Sequence, residues 1–416
     1  MKKLLILILF FYSNFNLLNA QWVECNKCSE CLNGSINIDA VWCFAIDENN
    51  TYTGIKGGVF MTTDYGAHWT AKNNGLISVI NERNILSLAI DGNNIFAGTM
   101  IDGIFLSTDK GENWERKSNG LPTPKYVDTI YKTVIFNLKI IGNNIYAGTN
   151  IGVYITTDYG EKWIPKNEDL LQIDSFNIVT SITNIGNNIF AGTKHGVYMT
   201  TDNGDNWFPK NNGIGNIETW SLEVNGNNIY AGAGGNLFLS TDNGDNWNKI
   251  KDSIATKEIK INGNNIFVGG YGIDISTDNG KNWVSKNSGL PSLGIISMII
   301  NGEYVFVGID NYGIFRAKLS DLGITDVKEP EQTNEIKIYP NPASDEFRLR
   351  FHSPIETTVQ LNVFDLLGNC VLSQSLQSTE GTNEKTINCE KLPQGYYYVK
   401  ININENVETV PLVLIK

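Results

Sequence analysis

The stretch Ser-Thr-Asp-Asn-Gly-Asp-Asn-Trp, residues 240–247, recurs in close copies along most of the chain. Each copy reads S/T-T-D-x-G-x-x-W, and the copies lie at 62–69, 107–114, 156–163, 200–207, 240–247 and 276–283. Successive aspartates are 36 to 49 residues apart. A period in this range is typical of repeat architectures, in which each repeat is one supersecondary unit.

Each copy predicts a tight turn between two β-strands. The alternating apolar run at 103–108 precedes one of these turns, as a strand should. We expect the Asp carboxylate to accept hydrogen bonds from backbone amides two or three residues on. The Gly supplies a backbone conformation that residues with a Cβ avoid, and the Trp opens the next strand. The predicted structural residues of the turns are Asp64, Gly66, Trp69, Asp109, Gly111, Trp114, Asp158, Gly160, Trp163, Asp202, Gly204, Trp207, Asp242, Gly244, Trp247, Asp278, Gly280 and Trp283.

These copies resemble the Asp box, or BNR repeat, of β-propellers such as sialidases, sortilin-type receptors and Ycf48-like assembly factors. The resemblance implies an all-β propeller of four-stranded blades, with each Asp box on the outer edge of its blade and away from a ligand. A whole blade is visible at 85–116, and its first strand is almost wholly apolar. In the recurring Asn-Asn-Ile-Phe/Tyr-Ala-Gly, for example at 93–98, we expect the Gly where two backbones approach closely.

The two ends of the repeat region complement each other. Residues 21–26, Gln-Trp-Val-Glu-Cys-Asn, look like the strand that follows an Asp box. Residues 304–308 and 313–316 repeat the second and third strands of a blade, but Leu319 stands where the next Asp would be. We therefore predict a seven-bladed propeller closed by the N-terminal strand, because closure removes exposed sheet edges.

The chain begins with Lys2-Lys3 and a short apolar run, which predicts a secretory signal peptide at 1–20. The run is shorter than the ~20 residues of a membrane span, and no later segment reaches that length, so we predict no membrane span. The predicted propeller occupies 21–322, a polar linker 323–334 and a further domain 335–416. The net charge of −12 argues against a nucleic-acid partner, and with only three His we predict no metal and no cofactor.

A second set of motifs lies near the C-terminus. In chain order they are Y-P-N-P-A, D-x-x-G, L-P-x-G-x-Y-x-V and an apolar strand ending in Lys. This order resembles the type A C-terminal sorting domain of the Bacteroidetes type IX secretion system. The resemblance implies a small Ig-like β-sandwich, with the outer-membrane translocon and a sortase-like protease as partners. It also implies a protein that is secreted or at the outer cell surface after periplasmic transit. The residues matching the sorting motifs are Tyr339, Pro340, Asn341, Pro342, Gly368, Pro393, Gly395, Tyr397 and Lys416.

The six cysteines form two groups. Cys25, Cys28, Cys31 and Cys43 could bind zinc or an iron–sulfur cluster, but export favours disulfides, with three possible pairings. Near the C-terminus, a hairpin centred at 379–380 would place Cys370 opposite Cys389 and predicts a disulfide. Two free thiols are the alternative for this pair.

We expect the turns between second and third strands to share one face with the loops that connect blades. A ligand would bind on that face, by analogy with propellers generally. An aromatic and acidic rim there suits a sugar or a peptide, and ordinary loop residues are the alternative. The ligand-face candidates are Asp102, Tyr126, Asp128, Tyr131, Lys194, His195, Tyr271, Asp310 and Tyr312.

The motifs do not predict a catalytic residue. A sialidase needs an arginine triad, but the repeat region holds only Arg83, Arg116 and Arg316 and has no F/Y-R-I-P motif. We predict a secreted or cell-surface binding or scaffold protein for a glycan or protein partner. The alternative is a secreted glycan-active hydrolase that uses acids on the open face. Clustered acids near a deep central pocket would favour the hydrolase, and a narrow channel lined by Gly, Ser and Asn would favour the binding protein.

Overall fold

The structure is a computed structural model of the 416-residue chain. It divides into two compact units, Met1–Val327 and Lys328–Lys416, and the division falls within the predicted linker. The exact domain limits stay predictions, and the predicted signal peptide lies outside the described residues. The structure describes residues 21–26, 40–47, 50–76, 84–122, 133–170, 178–252, 255–324, 336–339, 341–353, 355–365, 368–379, 381–403 and 406–415.

The first unit consists of short antiparallel β-strands. Strands β1 to β13 are Val23–Glu24, Val41–Asp47, Asn50–Ile55, Gly58–Thr62, Thr70–Ala71, Ile85–Asp91, Asn94–Thr99, Ile104–Ser107, Glu115–Arg116, Ile135–Ile141, Asn144–Thr149, Gly152–Thr156 and Ile164–Pro165. Strands β14 to β28 are Val179–Ile185, Asn188–Thr193, Gly196–Thr200, Phe208–Pro209, Thr219–Asn225, Asn228–Ala233, Asn236–Ser240, Asn248–Lys251, Glu258–Asn262, Asn265–Gly270, Gly272–Ser276, Val284–Ser285, Ile295–Asn301, Tyr304–Ile309 and Gly313–Lys318.

The described strands of this unit form seven four-stranded sheets, which we call blades 1 to 7. Blade 1 has the order β2-β3-β4-β5, and blades 2 to 6 each use the next four strands in the same way. Blade 7 consists of β26, β27 and β28, and its fourth strand is β1, where Val23 pairs with Arg316. The first strands of neighbouring blades contact one another in a closed ring that includes β26 with β2. The all-β propeller and its closure by the N-terminal strand are therefore confirmed.

Trp22 takes the place of a box tryptophan at the closing joint. Its indole Nε1 donates to the Lys286 carbonyl of blade 6 at 2.6 Å. In turn, Trp69 of blade 1 donates to the Cys25 carbonyl at 2.8 Å. In both bonds the acceptor lies three residues after the corresponding tryptophan of the preceding blade. Equivalent bonds join Trp114 to Lys72, Trp163 to Lys117, Trp207 to Lys166 and Trp247 to Lys210.

A glycine near the end of the second strand permits the blades to pack closely. A Cβ on Gly98 would lie 2.5 Å from the Ile135 Cγ2 of the next blade. A Cβ on Gly308 would lie 2.6 Å from the Val41 carbonyl oxygen, across the closing joint. Real Cβ atoms do not approach other atoms so closely, so the predicted role of this glycine in close backbone approach is confirmed.

The second unit consists of two sheets around one hydrophobic core. Strands β29 to β35 are Lys337–Tyr339, Glu346–Ser353, Thr357–Phe364, Cys370–Ser378, Gly381–Asn388, Gly395–Ile403 and Asn406–Leu414. The sheet orders are β29-β30-β33 and β32-β31-β34-β35. Inward-facing residues such as Phe347, Leu361 and Val399 are buried between the sheets, as alternating strands predict.

The predicted disulfide between Cys370 and Cys389 is not present, because both residues are free thiols. Strand β32 pairs with β31, whereas β33 pairs with β30 in the other sheet. The connection between β32 and β33 therefore leads from one sheet to the other instead of closing a hairpin. Of the N-terminal group, Cys25 and Cys43 are free thiols, and Cys28 and Cys31 lie outside the described residues.

Candidate functional site

The Asp box is held by a short hydrogen-bond network, shown here for blade 4. The Thr200 hydroxyl donates to the Asp202 Oδ1 at 2.7 Å, and the Gly204 amide donates to the same hydroxyl oxygen at 2.9 Å. The Asn206 amide donates to the Asp202 Oδ1 at 2.9 Å. The main amide donor to the carboxylate thus lies four residues on, one residue later than the predicted two or three. In the boxes of Asp158 and Asp278 the carboxylate also interacts with the amide three residues on, as predicted. The same bonds recur in the other boxes.

These donors favour the charged form of the box carboxylates. The Asn206 side chain, its backbone amide and the Thr200 hydroxyl lower the pKa of Asp202 to about 2. The pKa values of Asp109, Asp158 and Asp242 are lowered by equivalent donors. The carboxylates accept hydrogen bonds from groups of their own turns, so we assign the boxes a structural role.

The turns between second and third strands share one end of the propeller with the loops that connect blades, as the sequence predicts. In an antiparallel blade, the turn between the second and third strands lies at the same end as the connection to the next blade. Backbone hydrogen bonds join these segments: the Lys194 amide donates to the Ile178 carbonyl at 3.1 Å, and the Asp310 amide donates to the Gly294 carbonyl at 3.1 Å. We call this end of the propeller the turn face.

The described ligand-face candidates are spread over four blades, namely blades 2, 4, 6 and 7. Tyr271 and Tyr312 expose 66% and 44% of their surface, but Asp102 is 4% exposed and is thus poorly placed to contact a ligand. Lys194 and Asp310 are exposed, and His195 is half-buried. Tyr126, Asp128 and Tyr131 lie outside the described residues. None of the described candidates lines the cavity that the first strands of the blades enclose, so the structure does not gather them into one site.

The first strands of all seven blades enclose a cavity of about 430 Å³. This volume lies within the range of roughly 300–1,000 Å³ that is usual for ligand sites. Trp42 and Trp220 line the cavity near the turn face. Each directly follows the first residue of its strand, and that residue pairs with the last residue before the turn between the second and third strands. Trp220 is 42% exposed. The buried Nε1 of Trp42 has no hydrogen-bond partner among the described residues.

An ionic cluster lines the same cavity. The Lys260 Nζ lies 2.6 Å from the Glu258 Oε1 and 3.5 Å from the Glu223 Oε2. Burial raises the pKa of Glu258, although Lys260 opposes the shift. Burial also disfavours the charge of Lys260, but the two carboxylates outweigh it and raise the pKa of the ammonium. Lys260 thus favours the charged form of Glu258, whereas the nearby Glu223 carboxylate disfavours it.

Lys139 contributes a further charge to the cavity, from blade 3. Lys139 pairs with Tyr146 of the neighbouring strand. Glu223 and Lys260 form the equivalent pairs of their own blades, with Tyr230 and Phe267. These three charged side chains therefore occupy the same level of the ring. Lys139 forms no ion pair with any residue that the structure describes.

Sequence reasoning missed the residues of this cavity. Lys139, Glu223 and Lys260 lie in first strands that are otherwise largely apolar, and they are far apart in the chain. A residue-by-residue alignment of the repeats would have found a signal, because all three occupy the same position relative to the following Asn-Asn turn. Trp42 and Trp220 also share one position in their repeats.

The sorting motifs have structural roles within the second unit. The Asn341 Nδ2 donates to the Pro411 carbonyl at 3.0 Å, and the Val413 amide donates to the Asn341 Oδ1 at 2.8 Å. This side chain therefore ties the Y-P-N-P-A motif to the last strand. Pro340 and Lys416 lie outside the described residues.

Two further motifs form local turns. The Asp365 Oδ1 accepts from the Asn369 amide at 2.8 Å, and the Gly368 amide donates to the Asp365 carbonyl at 3.0 Å. Gly368 has a φ of 84°, which favours glycine. The Tyr397 hydroxyl donates to the Pro393 carbonyl at 2.7 Å, within L-P-x-G-x-Y-x-V.

Residues 337–416 match the protein family described as "Secretion system C-terminal sorting domain". No curated protein matches the chain. The chain is therefore a β-propeller protein that carries a type IX secretion sorting domain, and it is exported to the cell surface or secreted. Among the described residues, the structure has no helix of the length and apolarity needed to cross a membrane.

Three solved structures are similar to the chain in fold. PorZ of Porphyromonas gingivalis, described as an essential bacterial surface component of the type-IX secretion system, has a TM-score of 0.52 at 14% identity, with 91% of this chain and 60% of PorZ covered. The structure of YCF48 bound to D1 peptide has a TM-score of 0.53 at 16% identity, with 72% and 97% covered. The extracellular domain of BT4673 from B. thetaiotaomicron has a TM-score of 0.58 at 14% identity, with 94% and 52% covered. The chain thus spans only part of PorZ and BT4673, and at these identities the similarity concerns the fold alone.

Proposed function

We propose that the propeller is a binding module whose ligand enters the central cavity from the turn face. The observation that carries this proposal is the cavity of about 430 Å³, which combines exposed indole surface with buried charged groups. Ligand sites are typically concave, with aromatic surface for affinity and a few polar groups for orientation. The ligand is a glycan or a segment of a partner protein.

The sorting domain determines where this module acts. Because the chain is exported, the propeller meets its ligand outside the cell or at the outer surface. Its neighbours in fold include a surface component and a peptide complex, which agree with a binding role. We infer that the domain limits predicted from the sequence separate an export signal from a recognition module.

A glycan-active hydrolase is the second candidate function, and one observation favours it. Glu258 and Glu223 lie close to the same ammonium, and burial raises the pKa of Glu258, as in a general acid. However, the Lys260 ammonium lies 2.6 Å from the Glu258 carboxylate and acts against the effect of burial on its pKa, which opposes the protonated state that a general acid needs. The binding module is therefore the better-supported function.

The test is an array of glycans and peptides probed with the full-length protein, with release of reducing sugar measured in parallel. We expect binding without turnover, and Trp220→Ala should weaken it at least about tenfold because an aromatic anchor in the cavity is lost. Tyr271→Ala is the matched control, because Tyr271 is an exposed aromatic residue of the turn face outside the cavity.

If Tyr271→Ala weakens binding and Trp220→Ala does not, the ligand sits on the rim and the proposal fails. Turnover that is lost in Glu258→Gln would establish the hydrolase instead.

A further inference from the structure

The cavity offers a charged hydrogen-bond donor that the described residues do not use in an ion pair. The Lys139 side chain lines the cavity and is half-buried, and its ammonium has no ion-pair partner in the part of the chain that the structure describes. Partial burial of a charge costs free energy unless the charge is paired, and an anionic ligand supplies the missing partner. We propose that the cavity binds the carboxylate of an acidic sugar residue, with Lys139 as its counter-ion. This inference rests on the proposed function of the propeller as a binding module.

Lys139 is better suited to hold an anion than Lys260. The Lys260 ammonium lies between the carboxylates of Glu258 and Glu223, so an incoming anion would compete with two existing partners. Lys139 occupies the same level of the ring on a different blade and has no such competitor among the described residues. Charge-assisted hydrogen bonds are shorter and stronger than neutral ones, and partial burial reduces their screening by solvent.

The rest of the cavity matches a sugar ring. The indoles of Trp42 and Trp220 can cover its apolar C–H surface. Glu223 and Glu258 each have a second carboxylate oxygen that can accept from sugar hydroxyls. A peptide C-terminus would also satisfy Lys139, but it brings few hydroxyl donors for these two carboxylates. The combination of indole, carboxylate and ammonium groups therefore favours an acidic sugar.

The experiment measures the binding of the full-length protein to uronic-acid tetrasaccharides by calorimetry. The panel contains galacturonate, glucuronate and mannuronate tetramers, each beside its carboxyl-reduced neutral counterpart. A peptide with a free C-terminus and its amidated form complete the panel. We expect at least one uronate to bind roughly 10- to 100-fold more tightly than its reduced counterpart, which is the range for one hydrogen bond to a charged group.

The variants test whether Lys139 provides this preference. Lys139→Met should bind a uronate and its reduced counterpart equally, and Lys139→Arg should restore the preference because it keeps the charge. Lys249→Met is the matched control, since Lys249 lies on the outer strand of blade 5 and does not line the cavity. Its loss should leave the preference unchanged. Unfolding midpoints of all three variants show whether the fold is retained.

The inference is overturned if no uronate binds, if uronates and reduced sugars bind equally, or if Lys139→Met keeps the preference. If only the peptide with a free C-terminus binds, and Lys139→Met abolishes this binding, the acidic sugar is excluded. The ligand of the cavity is then a peptide C-terminus. In each case the proposed function survives if another ligand of the array depends on Trp220. It fails together with this inference if nothing on the array binds.

Discussion

The individual residues of the Asp box act as a unit because each satisfies a backbone group of the turn. The residue after the Asp adopts a positive φ in every box, for example 58° at Asn203, and the following Gly has a φ of 92° at position 204. Two successive left-handed residues reverse the chain sharply and leave amides that need acceptors. The Thr200 hydroxyl and the Asp202 carboxylate supply these acceptors.

Replacing one box carboxylate should make stability less dependent on acidic pH. The pKa of Asp202 is about 2 in the folded protein, below its ordinary value of 3.8, so the carboxylate stabilises the fold at neutral pH. That contribution is lost as the pH falls through about 2. We expect Asp202→Asn to be less stable than the wild type at pH 7, with the difference shrinking between about pH 4 and pH 2.

Urea unfolding at several pH values measures this difference. Asp252→Asn is the control, because Asp252 is 82% exposed and pairs only with Lys249 among the described residues, so its effect at pH 7 should be small. A gap between the wild type and Asp202→Asn that stays constant from pH 7 to pH 2 would contradict the prediction.

Neighbouring blades are joined by a repeated pair of contacts on the outer strands. The carbonyl of the lysine three residues after a box Trp accepts the hydrogen bond from the indole of the next blade. The ammonium of the same lysine forms an ion pair with an acid of the next box, as Lys117 does with Glu161 at 2.6 Å. The other pairs are Lys72 with Glu112, Lys166 with Asp205 and Lys210 with Asp245. Exposed ion pairs of this kind contribute little individually, so the buried indole bonds matter more.

The joint between blades 5 and 6 departs from this pattern. Trp283 donates to the Gly280 carbonyl of its own box at 3.0 Å instead of to blade 5. Strand β21 carries a bulge, since Leu237 pairs with Lys251 and Phe238 with Lys249, and this displaces the expected acceptor at Ile250. Lys251 instead pairs with Asp274 at 3.0 Å and lies over the Trp283 ring.

This difference supplies a matched pair of variants. Trp207→Phe removes a bond between blades from a fully buried site, where the Lys166 carbonyl is left without its donor. We expect a cost of about 1–3 kcal/mol beyond the loss of volume. Trp283→Phe removes only a bond within one turn and should cost less. Urea unfolding measures the loss of unfolding free energy in each variant. Equal losses would contradict the prediction, because the bond between blades would then add no more stability than the bond within one turn.

The whole molecule depends on the pairing of its N-terminal strand with its last blade. Strand β1 covers the edge of β28, and Trp22 is 1% exposed and bonded to blade 6. At the joint between blades 7 and 1, Cys25 and Ala67 stand where a lysine and an acid form the ion pair in the joints between blades 1 and 5. Trp22 bonds blade 7 to blade 6, and it lies directly before the strand that closes the ring.

Trp22→Ala should weaken the closure and expose a sheet edge. Truncating a buried Trp typically costs about 3–5 kcal/mol, and an uncovered edge promotes association. We expect a lower unfolding midpoint together with increased light scattering. Val23→Ala, on the same strand but 56% exposed, is the control and should change neither. A Trp22→Ala protein as stable and monodisperse as the control would contradict this role for Trp22.

The sequence alone was sufficient for features that depend on local chemistry. The Asp-box turns follow from residues within eight positions, because a hydroxyl, a carboxylate and a glycine satisfy one short loop. The closing strand was also predictable, since Trp22 repeats the box tryptophan and Leu319 breaks the pattern at the other end. The sorting motifs likewise identify their domain, and their contacts are short-range turns or ties to one strand.

Only the tertiary structure brings Lys139, Glu223, Glu258 and Lys260 to one cavity, because they belong to blades 3, 5 and 6 and the cavity forms only when the ring of blades closes. The same limit explains the error at Cys370 and Cys389. A hairpin and a crossover between sheets have the same local sequence pattern, and the hydrophobic core of the sandwich decides between them. Pairwise contacts between distant strands are set by how sheets pack, and that is a property of the whole chain.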